Sequence, residues 1–430
     1  MSIQEMDMKT MKWLVTLLTV LVAGVDCKAQ FVSEQKAQER VREFVVESLP
    51  ALARGDAEGQ IALTLAYTEW DEDSKTPAVY VFNRTDGGFI VASADERVTP
   101  VLGYAYTGEW VTENISEAQR ALLADYGKEV SEARKSTDAN VRRAKTYDDT
   151  WEMVEPLIKT QWGQNAPYNN LCPMKNLRRC ITGCVATAFA QIMYYHRWPE
   201  RGTGAYSYVK NGIECSVDFG STTYQWDKMK LKYKSTDPDE DDAVATLMYH
   251  CGVAHNMEYG INESYGYFNW WWEGDQQMSE IVKYFGYDAV VWGMYRSNVT
   301  ELQFATTIYN NLKWGLPVLY NATNSNNSAH VYICDGYDGK GYFHINWGWD
   351  GNGDGNFLLT SMNTYNINRI ILYNIMPPGY VPAAIHNTPA VVNGHEGIWD
   401  MRGQRITGGQ QRKGLYIVKS ADGKAKKIIR

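Results

Sequence analysis

The apolar and polar positions of this chain change period three times. In residues 34–48 the apolar side chains Val41, Phe44 and Val45, with Leu49 just beyond, fall on one side of a helix. Two apolar runs follow, Ala78–Asn83 and Gly88–Ser93. They flank Asp86-Gly87, which predicts a hairpin. Ser116 and Gln119 have the spacing of a capping box and open a second helix through about residue 134. The stretch from Ser131 to Lys145 is then polar and carries Arg142, Arg143 and Lys145. It reads as an exposed linker of the kind that proteases nick. Residues 30–145 therefore form one α+β unit.

From residue 146 to about 378 the pattern is helical first and extended later. Helices are predicted at 184–196, about 241–254, 276–285 and 300–313. Strands are predicted at 317–320, 330–335, 342–347 and 356–359, separated by glycine turns. Helices followed by strands imply an α+β domain with segregated halves, and a cleft between the halves is the natural ligand site. Beyond Pro377-Pro378-Gly379 a third segment, 379–430, reads as a small β appendage or tail in which basic residues outnumber acidic ones from 391 onward.

The N-terminus adds a destination. Lys9 and Lys12 precede an apolar run over 13–25 that is short for a bilayer span. Cys27-Lys28-Ala29 supplies a cleavage site, so residues 1–29 read as a signal peptide and the protein as secreted. Lipid attachment at Cys27 is the rival reading, although Asp26 suits it poorly; an uncleaved anchor is the other. No second apolar stretch is long enough to cross a membrane. A net charge of -8 argues against nucleic acid as a partner. A length of 430 residues allows two or three domains, and no fixed-period repeat is visible.

The candidate chemistry begins at Cys184, which follows Thr182-Gly183 and opens an alanine-rich apolar helix. Unpaired amides and the dipole at a helix N-terminus favour a thiolate, the nucleophilic form. Cysteine is also a common buried core residue, so both readings stand. Five other cysteines lie beyond residue 29 (Cys172, Cys180, Cys215, Cys251 and Cys334), too sparse for a disulfide scaffold. A zinc set of Cys172, Cys180, Cys184 and His196 lacks a recognised spacing.

A thiol nucleophile needs a base. His196 lies twelve residues along the same helix as Cys184, roughly 18 Å away at 1.5 Å per residue, and cannot reach it. His250 and His255 have no evident partner, and His386 and His395 lie in the tail. That leaves His330, at the mouth of a strand after the polar run 324–328, and His344, which has the apolar neighbours of a core histidine. His330 is favoured. Asn346-Trp347-Gly348-Trp349 follows His344, and an Asn or an aromatic there could fix an imidazole. Asp350, Asn352 and Asp354 match the opening of a calcium loop, but Ser361 stands where the bidentate Glu belongs, so the match reads as chance.

Three segments carry a resemblance. Thr182 to Ala188 with Gln191-Ile192-Met193, His330 with Asp335 to Asp338 and His344 to Trp349, and Gly163 to Asn169 together resemble the streptopain-like cysteine peptidases, in the same order. Residues 30–145, notably Gly88 to Ala94 and Val101 to Tyr104, resemble that family's inhibitory propeptide. The resemblance implies a papain-like fold with a helical half and an antiparallel β half. It implies Cys184 as nucleophile, His330 as base, Gln164 as oxyanion donor, and Trp347 stacked near the histidine with Asn346 beside it. It implies protein or peptide substrates, the chain's own N-terminal unit as inhibitor, and no cofactor or metal. Two places depart from the pattern. Ala329 replaces a glycine before the histidine, and a Gly-Ser-rich cleft loop is replaced near Glu258 to Tyr265 and Asn269 to Trp272, which bears on substrate preference. A thiol amidase or transglutaminase, or a catalytically silent surface protein, are the alternative functions. The tail weakly resembles C-terminal sorting segments of secreted Gram-negative proteins.

Overall fold

The computed structural model of the protein describes residues 31–48, 61–71, 73–112, 117–136, 148, 150–234, 237–267, 270–273, 276–323, 329–359, 367–381, 397–400, 415–419 and 425–429. The signal segment, Ser116 and the basic residues Arg142, Arg143 and Lys145 lie outside this set.

Helix α1 (Glu34–Ser48) is followed by four antiparallel strands, β1 (Leu63–Trp70), β2 (Pro77–Arg84), β3 (Phe89–Ser93) and β4 (Val101–Ala105), and then by helix α2 (Glu117–Lys135). Strands β3 and β4 are buried along their whole length. Successive side chains of a strand point to opposite faces. Tyr80 and Phe82 accordingly pack with Val41 and Val45 of α1, while Val79 and Val81 pack with Leu122, Leu123 and Tyr126 of α2. Burial on both faces is why β2 and β3 read as unbroken apolar runs rather than as an alternation.

The next stretch holds a two-residue-per-strand hairpin, β5 (Met174–Lys175) and β6 (Arg178–Arg179), and then helix α3 (Cys184–His196). A second hairpin, β7 (Ala205–Lys210) and β8 (Ile213–Asp218), leads to helix α4 (Pro238–Ala254). Helix α4 starts cleanly: the Asp237 side chain accepts from the amides of Asp239 and Glu240, and Pro238 takes the first helical position. Residues 276–285, predicted as one helix, divide. Gln276–Ser279 is a strand, β10, paired with β9 (Trp270–Glu273), and only Glu280–Phe285 is helical, as α5. A neighbouring run of three tryptophans, Trp270 to Trp272, is a good strand partner and overrides the local helical pattern.

Strand β11 (Trp292–Tyr295) precedes helix α6 (Glu301–Lys313), which opens with a complete capping box between Thr300 and Gln303. Strands β12 (Val318–Thr323), β13 (Ala329–Tyr337), β14 (Phe343–Asn346), β15 (Gly355–Phe357) and β16 (Ile367–Tyr373) complete the second half. Helix α3 packs between α4 and β13 and is buried from Val185 through Met193. Three alanines in that span, Ala186, Ala188 and Ala190, allow such close approach.

One antiparallel sheet runs through both units in the order β1-β2-β3-β4-β15-β14-β13-β12-β16-β11. The unit boundary read from the sequence at residue 145 is thus crossed by a hydrogen-bonded strand pair, with Gly103 opposite Phe357 and Tyr104 opposite Asn356. Glycine is required at 103, because a Cβ there would meet the Phe357 ring at 2.3 Å. The Tyr104 hydroxyl donates to the Asp338 carboxylate at 2.8 Å, and the Tyr342 hydroxyl donates to the Val101 carbonyl at 2.9 Å. In the tail, β17 (Gly397–Asp400), β18 (Leu415–Lys419) and β19 (Ala425–Ile429) form a separate three-stranded antiparallel sheet. Among the described residues no helix is long and apolar enough to cross a membrane.

Candidate active site

The helix that carries Cys184 starts where it does because of Gly183. That residue has φ 85° and ψ 147°, a conformation side chains disfavour. A Cβ at 183 would also meet the Met257 side chain at 2.8 Å and the Ser264 carbonyl at 3.0 Å. The hydroxyl of Thr187 donates to the Gly183 carbonyl at 3.1 Å and lies 3.0 Å from that of Thr182, which closes the first turn. Cys184 is half-buried at the helix start. Burial pushes its thiol pKa up, against the amides of Val331, Val185 and Cys184 itself, which face the sulfur and pull it down.

Cys184 packs against the core cluster that contains Val331, and His330 is the residue before it in β13. His330 is buried, with 4% of its surface exposed. Its ring is held by two tryptophans, stacked 5.5 Å from Trp349 and 6.2 Å from Trp347, with Tyr332 at 6.0 Å. Its Nε2 lies 3.2 Å from the Trp347 carbonyl and 3.2 Å from Trp349 Nε1, which donates to it. Opposite tautomers satisfy these two contacts, since one nitrogen cannot donate and accept at once. Both use Nε2, so Nδ1 is the nitrogen left for a thiol. Burial drives the His330 pKa down to about 4, against the opposing pull of the Trp347 carbonyl. Both shifts favour the uncharged forms of the two groups.

Gln164 is buried, and its main-chain carbonyl accepts from the Thr182 amide at 3.1 Å, two residues before the nucleophile. Its carboxamide makes no hydrogen bond among the described residues, so its donors are free for an incoming oxygen. The same strand of chain is tied to the histidine side, where the Asp350 amide donates to the Trp162 carbonyl at 3.1 Å.

Asn346 stands beside Trp347 but its carboxamide is spent elsewhere. Its Nδ2 donates to the Thr160 carbonyl at 2.9 Å, and its Oδ1 accepts from Gln191 Nε2 at 3.0 Å and from the Gly348 amide at 3.1 Å. It binds helix α3 to the sheet and leaves the imidazole to the tryptophans. Trp347 is gripped at both ends: its amide donates to Asp354 Oδ1 at 2.8 Å and its indole to the Gly353 carbonyl at 3.0 Å. Sequence reasoning missed Trp349 as a partner of His330. The only signal was its place in Trp347-Gly348-Trp349, where Gly348 has φ 72° and lets the second indole turn back toward the histidine.

The other histidines among the described residues have partners of their own. Nδ1 of His344 meets Asp335 at 2.6 Å, and although burial opposes its charge, that carboxylate raises its pKa. His196 bonds Tyr287, His250 bonds Tyr224, and His255 bonds the Cys251 carbonyl. Behind the tryptophans lies a cavity of about 810 Å³ between the two units, lined by Tyr106, Glu109, Lys159, His344 and Asp354 among others. Neither Cys184 nor His330 lines it, so it is not the cleft of the nucleophile.

Family and structural comparisons agree with this geometry. The model of the peptidase C10 family matches residues 162–357, and that of the Spi protease inhibitor matches residues 29–130. The thiol protease/hemagglutinin PrtT of Porphyromonas gingivalis is 28% identical over 406 residues, which is 87% of this chain and 45% of the relative. The chain thus spans less than half the length of PrtT. Streptopain of Streptococcus pyogenes is 28% identical over 312 residues, 66% of this chain and 74% of its own. The structure of a Prevotella intermedia prointerpain A fragment superposes with a TM-score of 0.62 at 30% identity, over 73% of this chain and 99% of that one.

Proposed function

Because the chain belongs to the peptidase C10 family and carries an inhibitor-type unit ahead of its catalytic unit, we propose that it is a cysteine endopeptidase made as a zymogen. The observation that carries the reading is the approach of β13 to the start of α3. Cys184 packs against the core cluster that contains Val331, the residue after His330 in β13, and the Gln164 carbonyl accepts from the amide of Thr182, two residues before Cys184.

In the proposed reaction His330 takes the Cys184 proton and the thiolate attacks a peptide carbonyl. The oxyanion is held by the Gln164 carboxamide and the Cys184 amide. His330 returns its proton to the leaving amine, and a thioester remains on Cys184. Water, deprotonated by the same imidazole, then releases the acid. The raised thiol and the lowered imidazole pKa both oppose the ion pair that this reaction needs. We attribute that to the inhibited form: residues 30–145 hold the β half by the β4–β15 pairing until cleavage near Arg142 to Lys145 releases them. Residues 1–29 would direct export, and the substrates would be extracellular proteins or peptides.

The test is casein cleavage by purified full-length protein under reducing conditions, beside Cys184→Ala. Cleavage by the wild type alone, with loss of about a hundred residues from its N-terminus, is the expected outcome. Failure of both proteins, even after the N-terminal unit is removed, would return the choice to an amide-transfer enzyme or a binding protein.

A further inference from the structure

Between Gln164 and Cys184 the chain makes an excursion that the chemistry does not require. It is the β5–β6 hairpin, and its base is bolted to the reacting groups. The Thr182 amide donates to the Gln164 carbonyl, and Asn169 Nδ2 donates to the Cys180 carbonyl at 3.0 Å. On the other side the Ile181 amide donates to the Gly260 carbonyl and Ser264 Oγ donates to the Ile181 carbonyl at 2.8 Å. The hairpin therefore rises from the chain that joins Gln164 to Cys184, beside the loop 258–265 that departs from the family pattern.

Its composition is unusual for an exposed turn. All six residues from Met174 to Arg179 are exposed, between buried Cys172 and Cys180. At the tip Asn176 and Leu177 both have left-handed backbones, with φ of 50° and 62°. Asparagine tolerates that region and leucine does not. Leu177 is also 96% exposed, with Met174 at 52% and Leu171 at 45% beside it. A leucine that is both strained and bare is a residue for which the isolated fold gives no reason. Around it stand Lys175, Arg178 and Arg179. Arg179 donates to the Cys172 carbonyl at 2.7 Å, while Lys175 and Arg178 have no ion-pair partner among the described residues. Other exposed cations of this acidic chain do have carboxylate partners, as in Lys135–Asp73, Lys228–Asp239 and Lys313–Glu152.

We propose that the β5–β6 hairpin is a specificity element that seats the substrate polypeptide, selecting segments with a carboxylate next to an apolar side chain close to the scissile bond. The inference rests on the peptidase reading of Cys184. A peptide whose carbonyl sits between Gln164 and Cys184 must run past the base of this hairpin. Lys175 and Arg178 then supply charge complementarity, and Leu177 supplies an apolar contact that closes on binding. Steering by exposed charges weakens with salt.

The experiment compares matched fluorogenic peptides in which one position, moved from four residues before to four residues after the cut, is Glu, Gln or Lys. Each is cleaved by full-length protein that has been allowed to process itself, as wild type and as Lys175→Glu/Arg178→Glu. At one or more positions the wild type is expected to favour Glu over Gln in kcat/KM by about fivefold to tenfold, the range of a pair of exposed ion contacts. That ratio is expected to shrink toward one in high salt and to invert toward Lys in the double variant. A wild-type ratio near one at every position, or a ratio the variant leaves unchanged, overturns the proposal while cleavage of the Gln peptide leaves the peptidase reading standing. If the wild type cleaves no peptide, the peptidase reading falls and this inference falls with it. Leu177→Asn, which suits the left-handed backbone better, is expected to keep the melting temperature and lose at least about threefold in kcat/KM. A stable Leu177→Asn protein as efficient as wild type overturns the apolar half of the contact.

Discussion

The helix side and the sheet side of the site are built by different means. Cys184 is placed by short-range rules: a glycine with φ 85°, a threonine that closes the first turn, and an apolar helix behind it. His330 is placed by long-range ones. Its strand position depends on pairing with β12, where it lies opposite Ala322, and its ring depends on indoles 17 and 19 residues further on. The start of the helix is thus set mainly by neighbouring residues, while the position of His330 follows from the pairing of its sheet. One edge of that sheet within the second unit is β15, and in this form β4 of the N-terminal unit holds it. The difference teaches where control could enter: a unit that pairs with the sheet edge is joined through β15, β14 and β13 to the strand of His330.

The harshest way to break the comparison removes one reactive group from each side. Cys184→Ala and His330→Ala should each cut casein hydrolysis by about 10⁴-fold or more, and the double variant should be no worse than either, because groups that act as a unit are non-additive. A double variant far below both would mean that the two sides work independently. Gln164→Ala tests the third corner. It should lower kcat by about 10²–10³-fold with little change in KM, as loss of an oxyanion donor does. A change confined to KM would make Gln164 a wall of the cleft instead.

Gly103→Ala attacks the sheet side alone. Its Cβ would press on the Phe357 ring, an overpacking worth about 1–3 kcal/mol. The N-terminal unit should loosen and self-processing should quicken, as read by the half-time of the mature band on gels; an unchanged half-time would show that the β4–β15 joint does not set the rate. Trp349→Phe keeps a ring against His330 and removes the indole donor. A loss of roughly fivefold in kcat/KM is expected, the worth of one hydrogen bond, with a shifted acid limb in the pH profile. A wild-type profile would assign Trp349 to packing alone.

The mildest effect is on stability against pH, measured as Tm on full-length Cys184→Ala. His330, His250 and His255 are held near 4 and His196 near 3 by burial. Below the ordinary value of about 6.5 the unfolded chain takes up protons that the folded one refuses, so stability falls as pH drops from about 6.5 to 4. Asp354, pushed up to about 7 by burial, works the other way, as do Asp241, Asp338 and Asp350, raised by burial, and His344, raised against burial by the Asp335 carboxylate. A falling Tm over this range is expected, and His330→Gln should make the fall shallower by a few degrees. A Tm that rises on acidification would show that the carboxyl groups dominate.

Much of this arrangement was legible in the chain. The start of α3 at Cys184, the β2–β3 hairpin and the helix at 300–313 all follow from local signals, and these observed elements lie within a few residues of their predicted bounds. Strands β1, β7, β8 and β11 are partly buried or alternate with exposed positions, and their apolar signal is correspondingly weak. The split of 276–285 into strand and helix depended on a partner strand. Asn346 and Trp349 have equally plausible sequence contexts as partners of His330. Only the tertiary contacts assign the carboxamide to Thr160 and Gln191 and the second indole to the imidazole.

By itself the sequence determined where the helix of Cys184 begins, because a glycine turn, a thiol and a buried helix are contiguous and obey one local rule. It also showed the change from helical to extended pattern along the chain. It did not determine that strands on either side of residue 145 join in one sheet, nor which side chains hold His330, nor that burial shifts both groups toward their uncharged forms. Those depend on which surfaces meet across more than a hundred residues of chain, and on the water excluded when they do, and neither is written in the spacing of residues along the chain.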